Sequence, residues 1–181
     1  MSTVTPELEE LRRRAAALVH DVPDYPEPGV VFKDITPLLA DGPTFRAVVD
    51  HIAGGAHGPV DLVVGMEARG FILGAPVATT LSAGFIPARK AGKLPRETVA
   101  GAYDLEYGSA VLEVHADTVW PGARILVVDD VLATGGTAAA TIELLEQAGA
   151  EVVGVSFLME LTYLEGRSRL AGRPFDALLS Y

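Results

Sequence analysis

Arg124-Ile125-Leu126-Val127-Val128-Asp129-Asp130-Val131-Leu132-Ala133-Thr134-Gly135-Gly136-Thr137 is the stretch on which the reading of this chain turns. Ile125 to Val128 are four consecutive apolar residues, three of them β-branched. Such a run reads as a strand buried on both faces, as the strands of a parallel sheet are. Asp129 and Asp130 follow at its carboxyl end. A short loop carries Thr134, Gly135, Gly136 and Thr137, and a helix opens through Ala138-Ala139-Ala140 and runs to Gln147. In open α/β sheets, ligands bind beyond the carboxyl ends of strands, where loops feed helices.

The residue types of this loop suit a ribose phosphate. A phosphate needs several converging backbone N–H groups, and a helix N-terminus supplies them with a favourable dipole. Glycine lets backbone approach with no Cβ in the way, and Thr134 and Thr137 add hydroxyl donors. The cradle therefore spans Ala133, Thr134, Gly135, Gly136 and Thr137. Asp129 and Asp130 would repel a phosphate but accept hydrogen bonds from vicinal ribose hydroxyls. The loop is not a GxxxxGK[ST] phosphate loop, which needs a lysine, and it is not GxGxxG.

Working outward, Val60-Asp61-Leu62-Val63-Val64-Gly65-Met66 reads as another strand, running through Glu67-Ala68-Arg69-Gly70-Phe71 into a helix over 72–82. Left to itself, Arg69 would pair with Glu67 across the turn. Phe85-Ile86-Pro87-Ala88 is a short strand leading to Arg89-Lys90-Ala91-Gly92-Lys93-Leu94-Pro95-Arg96, the densest positive cluster of the chain. Residues 97–108 show few core signals and read as a long loop, a class that is usually a functional lid or disordered. An alternating strand over 110–115, a buried strand over 151–159 and an edge strand over 175–181 complete the sheet. Thr5-Pro6 starts a first helix with an N-cap hydroxyl and proline at its first position. Arg12-Arg13-Arg14 lies on it, balanced by Glu7, Glu9 and Glu10. Residues 21–37 are proline-punctuated and extended rather than helical. A second helix follows over 43–57.

The strand-loop-helix units predict an α/β fold: a mostly parallel twisted sheet with helices on both faces. With 181 residues, 49% of them hydrophobic, the chain suits one domain with a sizeable core, residues 1–181. It has no cysteine, so neither disulfides nor thiolate metal sites arise. The net charge of −10 disfavours non-specific binding to nucleic acid or membrane surfaces. No apolar span of membrane length or signal peptide is read, so a cytoplasmic location is expected.

Val127 to Thr137 resembles the phosphoribosyl-pyrophosphate (PRPP) motif of the type I phosphoribosyltransferases. Pro23-x-x-Pro26-x-Pro28-Gly29-Val30-x-Phe32-Lys33-Asp34-Ile35-Thr36-Pro37 resembles the N-terminal hood of the adenine phosphoribosyltransferases. Glu67 to Phe71 resembles the family's pyrophosphate loop, and Leu105-Glu106-Tyr107-Gly108 its catalytic loop. The four motifs keep the family's order from about Val22 to Leu161. The resemblance implies a type I phosphoribosyltransferase fold with a hood over 21–37 and a mobile catalytic loop over 97–108. It implies transfer of the phosphoribosyl group of PRPP to adenine, giving AMP and pyrophosphate. It assigns catalysis to Glu106 and Tyr107, with Glu106 the acid/base partner of the purine. Arg69, Arg89, Lys90 and Lys93 would hold the pyrophosphate, partly across a homodimer interface. Val31 and Lys33, through backbone groups, and Leu161 would contact adenine. Mg²⁺ would arrive with PRPP, with no dedicated protein metal site. Lys33 stands where some members carry arginine, and residues 96–102 match loosely. Transferases for hypoxanthine, xanthine or orotate share the PRPP motif but not the hood. A PRPP-sensing regulator should carry a nucleic-acid surface.

Overall fold

A computed structural model describes residues 5–104, 109–170 and 172–181, with side chains omitted at 102–104, 109 and 110. The chain divides into two compact units, Met1–His51 and Ile52–Tyr181.

In the first unit, α1 (Pro6–Ala17) starts where the sequence places it: the Thr5 hydroxyl accepts from the Leu8 N–H at 3.3 Å. Leu8, Leu11, Ala15, Leu18 and Val19 lie on its less exposed side, and Ala15 is buried. Arg13 pairs with Glu10 within the helix, and Arg14 donates to the Thr44 hydroxyl at 2.8 Å. Arg13 thus lies on the solvated, charge-balanced face that the acidic neighbours implied, whereas Arg14 is half-buried against Thr44. The proline-rich stretch forms β1 (His20–Pro23) and β2 (Val31–Asp34), paired antiparallel from His20–Asp34 to Pro23–Val31. The extended reading fails at its end. Thr36 and Pro37 open a short helix, α2 (Thr36–Ala40), because proline is tolerated in a first turn where N–H groups have no helical partner. α3 (Gly42–Gly54) crosses the boundary between the units and ends short of the expected His57.

The second unit holds a seven-stranded sheet in the order β5-β6-β4-β3-β7-β8-β9. Its strands are β3 (Leu62–Met66), β4 (Gly84–Lys90), β5 (Thr98–Asp104), β6 (Ser109–His115), β7 (Arg124–Leu132), β8 (Glu151–Glu160) and β9 (Phe175–Ser180). β4, β3, β7, β8 and β9 run parallel, and β5 and β6 join antiparallel at one edge. α4 (Arg69–Leu81) and α5 (Gly136–Gln147) follow β3 and β7.

Alternation along β3 sends the helices to opposite faces. Leu62, Val64 and Met66 join Ile86, Ile125 and Val127 in a cluster with Ala138, Ile142, Leu144 and Leu145 of α5. On the other face Val63 and Gly65 meet α4. A Cβ on Gly74 would sit 3.4 Å from the Gly65 Cα, and a Cβ on Gly65 would sit 2.6 Å from the Gly70 carbonyl oxygen. The glycines bring the first turn of α4 onto the sheet.

Residues 97–108 are not one long loop. Thr98 to Asp104 form β5, in register with β6 from Thr98–His115 to Asp104–Ser109. Val99 packs on the core, and Gly101 leaves room for α5, where a Cβ would meet the Leu144 Cβ at 3.3 Å. A central glycine and small neighbours hide the strand from pattern reading, since the helix beneath supplies the packing.

Candidate active site

The carboxyl end of β7 reaches further than the apolar run alone suggests. Asp129 and Asp130 lie inside the strand, paired through Asp129–Phe157 and Val131–Met159 with β8. The two side chains leave on opposite faces, as strand neighbours must. Gly135 then takes φ +77° as the cap of α5, a conformation glycine adopts without steric cost. α5 begins at Gly136, two residues earlier than the alanine run predicts, so Gly136, Thr137 and Ala138 form its first turn. First-turn N–H groups have no partner within a helix and carry the positive end of its dipole.

These elements line a cleft of about 240 Å³. Its walls are Met66 to Arg69, Asp129 to Ala138, and Phe157. The expected cradle of Ala133, Thr134, Gly135, Gly136 and Thr137 is thus brought together with Asp129, Asp130 and Arg69. A site just under the usual ligand-pocket range of about 300–1,000 Å³ takes a sugar phosphate, and a purine needs further walls.

Electrostatics divide the cleft into two patches. Arg69, the first residue of α4, donates through Nε to Oδ2 of Asp130, which is only 3% exposed. Arg69 thus ties the start of α4 to the carboxyl end of β7. The Asp130 N–H donates to Asp129 Oδ1 at 2.8 Å. Burial first, and the neighbouring Asp130 charge second, push the Asp129 carboxyl well above the usual carboxylate range.

Glu67 gathers the second patch. Its carboxylate accepts from Lys93 Nζ, from Arg89 Nε at 3.3 Å and from the Lys90 N–H at 3.2 Å. Burial pushes the Glu67 carboxyl up, but these bonds, that from Lys93 foremost, outweigh it and hold the pKa below its ordinary value. The Arg89 guanidinium also stands 5.9 Å from the Phe71 ring centroid. β4 extends through Lys90, so Arg89 and Lys90 belong to the strand end rather than to the basic loop. The Glu67–Ala68 peptide, at the junction of the two patches, is cis.

Leu161, Val31 and Lys33 each have neighbours of their own. Leu161 donates its N–H to the Leu132 carbonyl at 2.9 Å, beside the cleft lining rather than in it. In the first unit Val31 is exposed, and Lys33 pairs with Asp21 at 2.7 Å. Phe32 meets Tyr25 edge-on, with centroids 5.2 Å apart. Glu106 and Tyr107 lie outside the described residues. Sequence reasoning missed Gly166 and Phe157. Phe157 was hidden in a strand buried along nearly its whole length. Gly166 packs on the cradle from a distant turn, which local pattern cannot show.

Comparison with known proteins bears on this geometry. The phosphoribosyl transferase domain family matches residues 38–170. The adenine phosphoribosyltransferase of Acidothermus cellulolyticus is 61% identical over 165 residues, covering 91% of this chain and 93% of that protein. This chain belongs to the adenine phosphoribosyltransferase family. Solved adenine phosphoribosyltransferases share the fold. The Rhodothermus marinus structure superposes with a TM-score of 0.92 at 48% identity, covering 96% of this chain and 99% of that one. The Saccharomyces cerevisiae structure, complexed with adenine and an imino-altritol bisphosphate, gives 0.89 at 36% identity over 94% of this chain and 99% of its own.

Proposed function

We propose that this chain transfers the 5-phosphoribosyl group of PRPP to adenine, giving AMP and pyrophosphate, a purine-salvage reaction. One observation carries the reading: a helix N-terminus with two threonines and two glycines faces an adjacent carboxylate pair across one small cleft. That arrangement is complementary to a ribose carrying a 5′-phosphate, and within this family it implies PRPP.

The chemistry assigns roles. The bond between C1′ and the pyrophosphate oxygen breaks, a bond from C1′ to the purine ring nitrogen forms, and that nitrogen loses its proton. Positive charge develops on the ribose as the leaving group departs. Ala133 to Thr137 hold the 5′-phosphate. Asp129 and Asp130 hold the ribose hydroxyls and fix the angle of attack. Arg69, Arg89, Lys90 and Lys93 offset the charge of the departing pyrophosphate. Glu106, with Tyr107 beside it, manages the purine proton. A lid drawn from 97–108 would exclude water from the cationic ribose on closing. The adenine contacts proposed for this chain are backbone groups at Val31 and Lys33, and Leu161.

Among the described residues no cluster of three or more histidine or acidic side chains could hold a metal ion. Asp130 is engaged by Arg69, so the cleft suits Mg²⁺ that keeps its substrate oxygens and borrows few protein ligands. Carried by PRPP, Mg²⁺ would supply charge neutralisation at the pyrophosphate. Assembly as a homodimer and a cytoplasmic location belong to the same proposal. Among the described residues no helix is long and apolar enough to cross a membrane.

The test is a pyrophosphate-release assay with PRPP and Mg²⁺, run in parallel with adenine, hypoxanthine, guanine, xanthine and orotate. Release with adenine alone is expected. Release with another base would overturn the base assignment, and tight PRPP binding without release would overturn the activity.

A further inference from the structure

The cradle rests on a second segment of chain. A Cβ on Gly135 would collide with the Gly166 carbonyl oxygen, and a Cβ on Gly166 would collide with the Ala133 carbonyl oxygen and lie 3.0 Å from the Gly135 nitrogen. The two backbones are therefore in direct contact, with no side chain between them to absorb a shift. Gly166 is buried and opens a 3₁₀ turn, Gly166–Leu170, whose last residue is anchored in the core.

The turn is fixed at its front by an unusual pair. Glu160 ends β8 with its side chain 4% exposed, and Arg167 grips it through Nε at 3.2 Å and Nη2 at 2.6 Å. The same guanidinium lies 4.4 Å above the Phe175 ring. Phe175 meets Phe157, a wall of the cleft, with centroids 6.0 Å apart. Between Glu160 and Gly166, the Leu161 N–H bonds the Leu132 carbonyl at 2.9 Å, and Thr162 donates its N–H and hydroxyl to the Tyr181 carbonyl at 2.9 and 2.7 Å. Desolvating the Glu160 carboxylate is costly, and a pair whose Arg167 side chain stays 61% exposed is weak support for stability in itself. Forked geometry fixes position, and what it positions here is the residue next to Gly166.

We propose that residues 160–170 buttress the 5′-phosphate cradle, with Gly166 setting its height and the Glu160–Arg167 fork holding Gly166 in place. The inference rests on the reading of Ala133 to Thr137 as that cradle. Glu160, Gly166 and Arg167 are positioning residues: they act on the phosphate through backbone and touch no substrate.

The experiment compares Gly166→Ala, Arg167→Ala and Arg167→Lys with the wild type. KM is measured for PRPP and adenine, and the affinities of ribose 5-phosphate and pyrophosphate are measured separately by calorimetry. Gly166→Ala should weaken PRPP and ribose 5-phosphate together by about 30-fold, since small misplacements of binding groups cost that order. Pyrophosphate should stay within about twofold, because its expected contacts at Arg69, Arg89, Lys90 and Lys93 do not run through this segment. Arg167→Ala should shift the same two ligands by about tenfold, as loss of a supporting shell does. Arg167→Lys should recover part of this, keeping the charge but not the fork. A merely structural role would lower the active fraction and melting temperature with PRPP KM and ribose 5-phosphate affinity unchanged, and that result overturns the proposal. Should Gly166→Ala fail to fold, the Arg167 pair decides by the same readouts. If wild type releases no pyrophosphate with any base, the activity falls, while ribose 5-phosphate affinities still decide for or against the buttress.

Discussion

The Asp130 N–H donates to the Asp129 carboxylate at 2.8 Å while the Asp130 carboxylate is taken by Arg69 from the first turn of α4. The two acids are adjacent in sequence but unequal in environment. One is answered by a guanidinium; the other is left to burial and its neighbour's charge, which raise its pKa.

This inequality gives a pH signature. Asp129 binds its proton more tightly folded than unfolded, where its pKa is about 3.9. Its contribution to stability is fully present below that value and is lost as pH rises through the raised folded value. Asp129→Asn should therefore raise the ligand-free stability by about 1 kcal/mol at neutral pH, and the difference should vanish near pH 4. Thermal melts across pH measure this. In the same variant the KM for PRPP should rise, because a ribose-hydroxyl acceptor is lost.

Glu67 has the opposite sign. Its pKa is held down by Lys93, Lys90 and Arg89, so its contribution is present above the ordinary carboxylate range and is lost as pH falls through the lowered value. Glu67→Gln should cost about 1 kcal/mol at pH 7 and little at an acidic pH below the lowered value. Urea unfolding at the two pH values checks it.

Arg69→Lys should not behave as a conservative change. Lysine keeps the charge but loses the planar fork that reaches the Asp130 carboxylate. The KM for PRPP should rise about tenfold. Arg69→Ala, which leaves Asp130 buried without this partner, should cost about 10²–10³ in kcat/KM and lower the melting temperature. Steady-state kinetics beside thermal melts separate the two effects.

Glu106→Ala should lower kcat by about 10²–10⁴, the usual range for loss of an acid/base group, with PRPP affinity little changed. Varying PRPP at saturating adenine reads both quantities. Wild-type turnover would remove Glu106 from the mechanism.

The parallel core and its cleft were legible because their signals are local. Ile125 to Val128 is apolar without alternation, and a strand followed by Asp129-Asp130 and Thr134-Gly135-Gly136-Thr137 leaves few other arrangements. What escaped was set by distant packing. β5 has no pattern of its own; it exists because β6 pairs with it and α5 covers Gly101. The bond from Arg69 to Asp130 was not foreseen because the two lie 61 residues apart in sequence. Gly166 carries no motif, and its meaning appears only where it meets Gly135.

The pairing of charges in and beside the cleft bears on how a substrate arrives. Arg69 is matched by Asp130, and Lys93 and Arg89 share Glu67, so much of the local positive field is already answered. At a distance a polyanion meets the overall charge of −10 instead. Its approach is therefore uphill until it comes within a Debye length, about 10 Å at 0.1 M salt. Encounter should consequently quicken as salt is added from low ionic strength, the reverse of a steered enzyme.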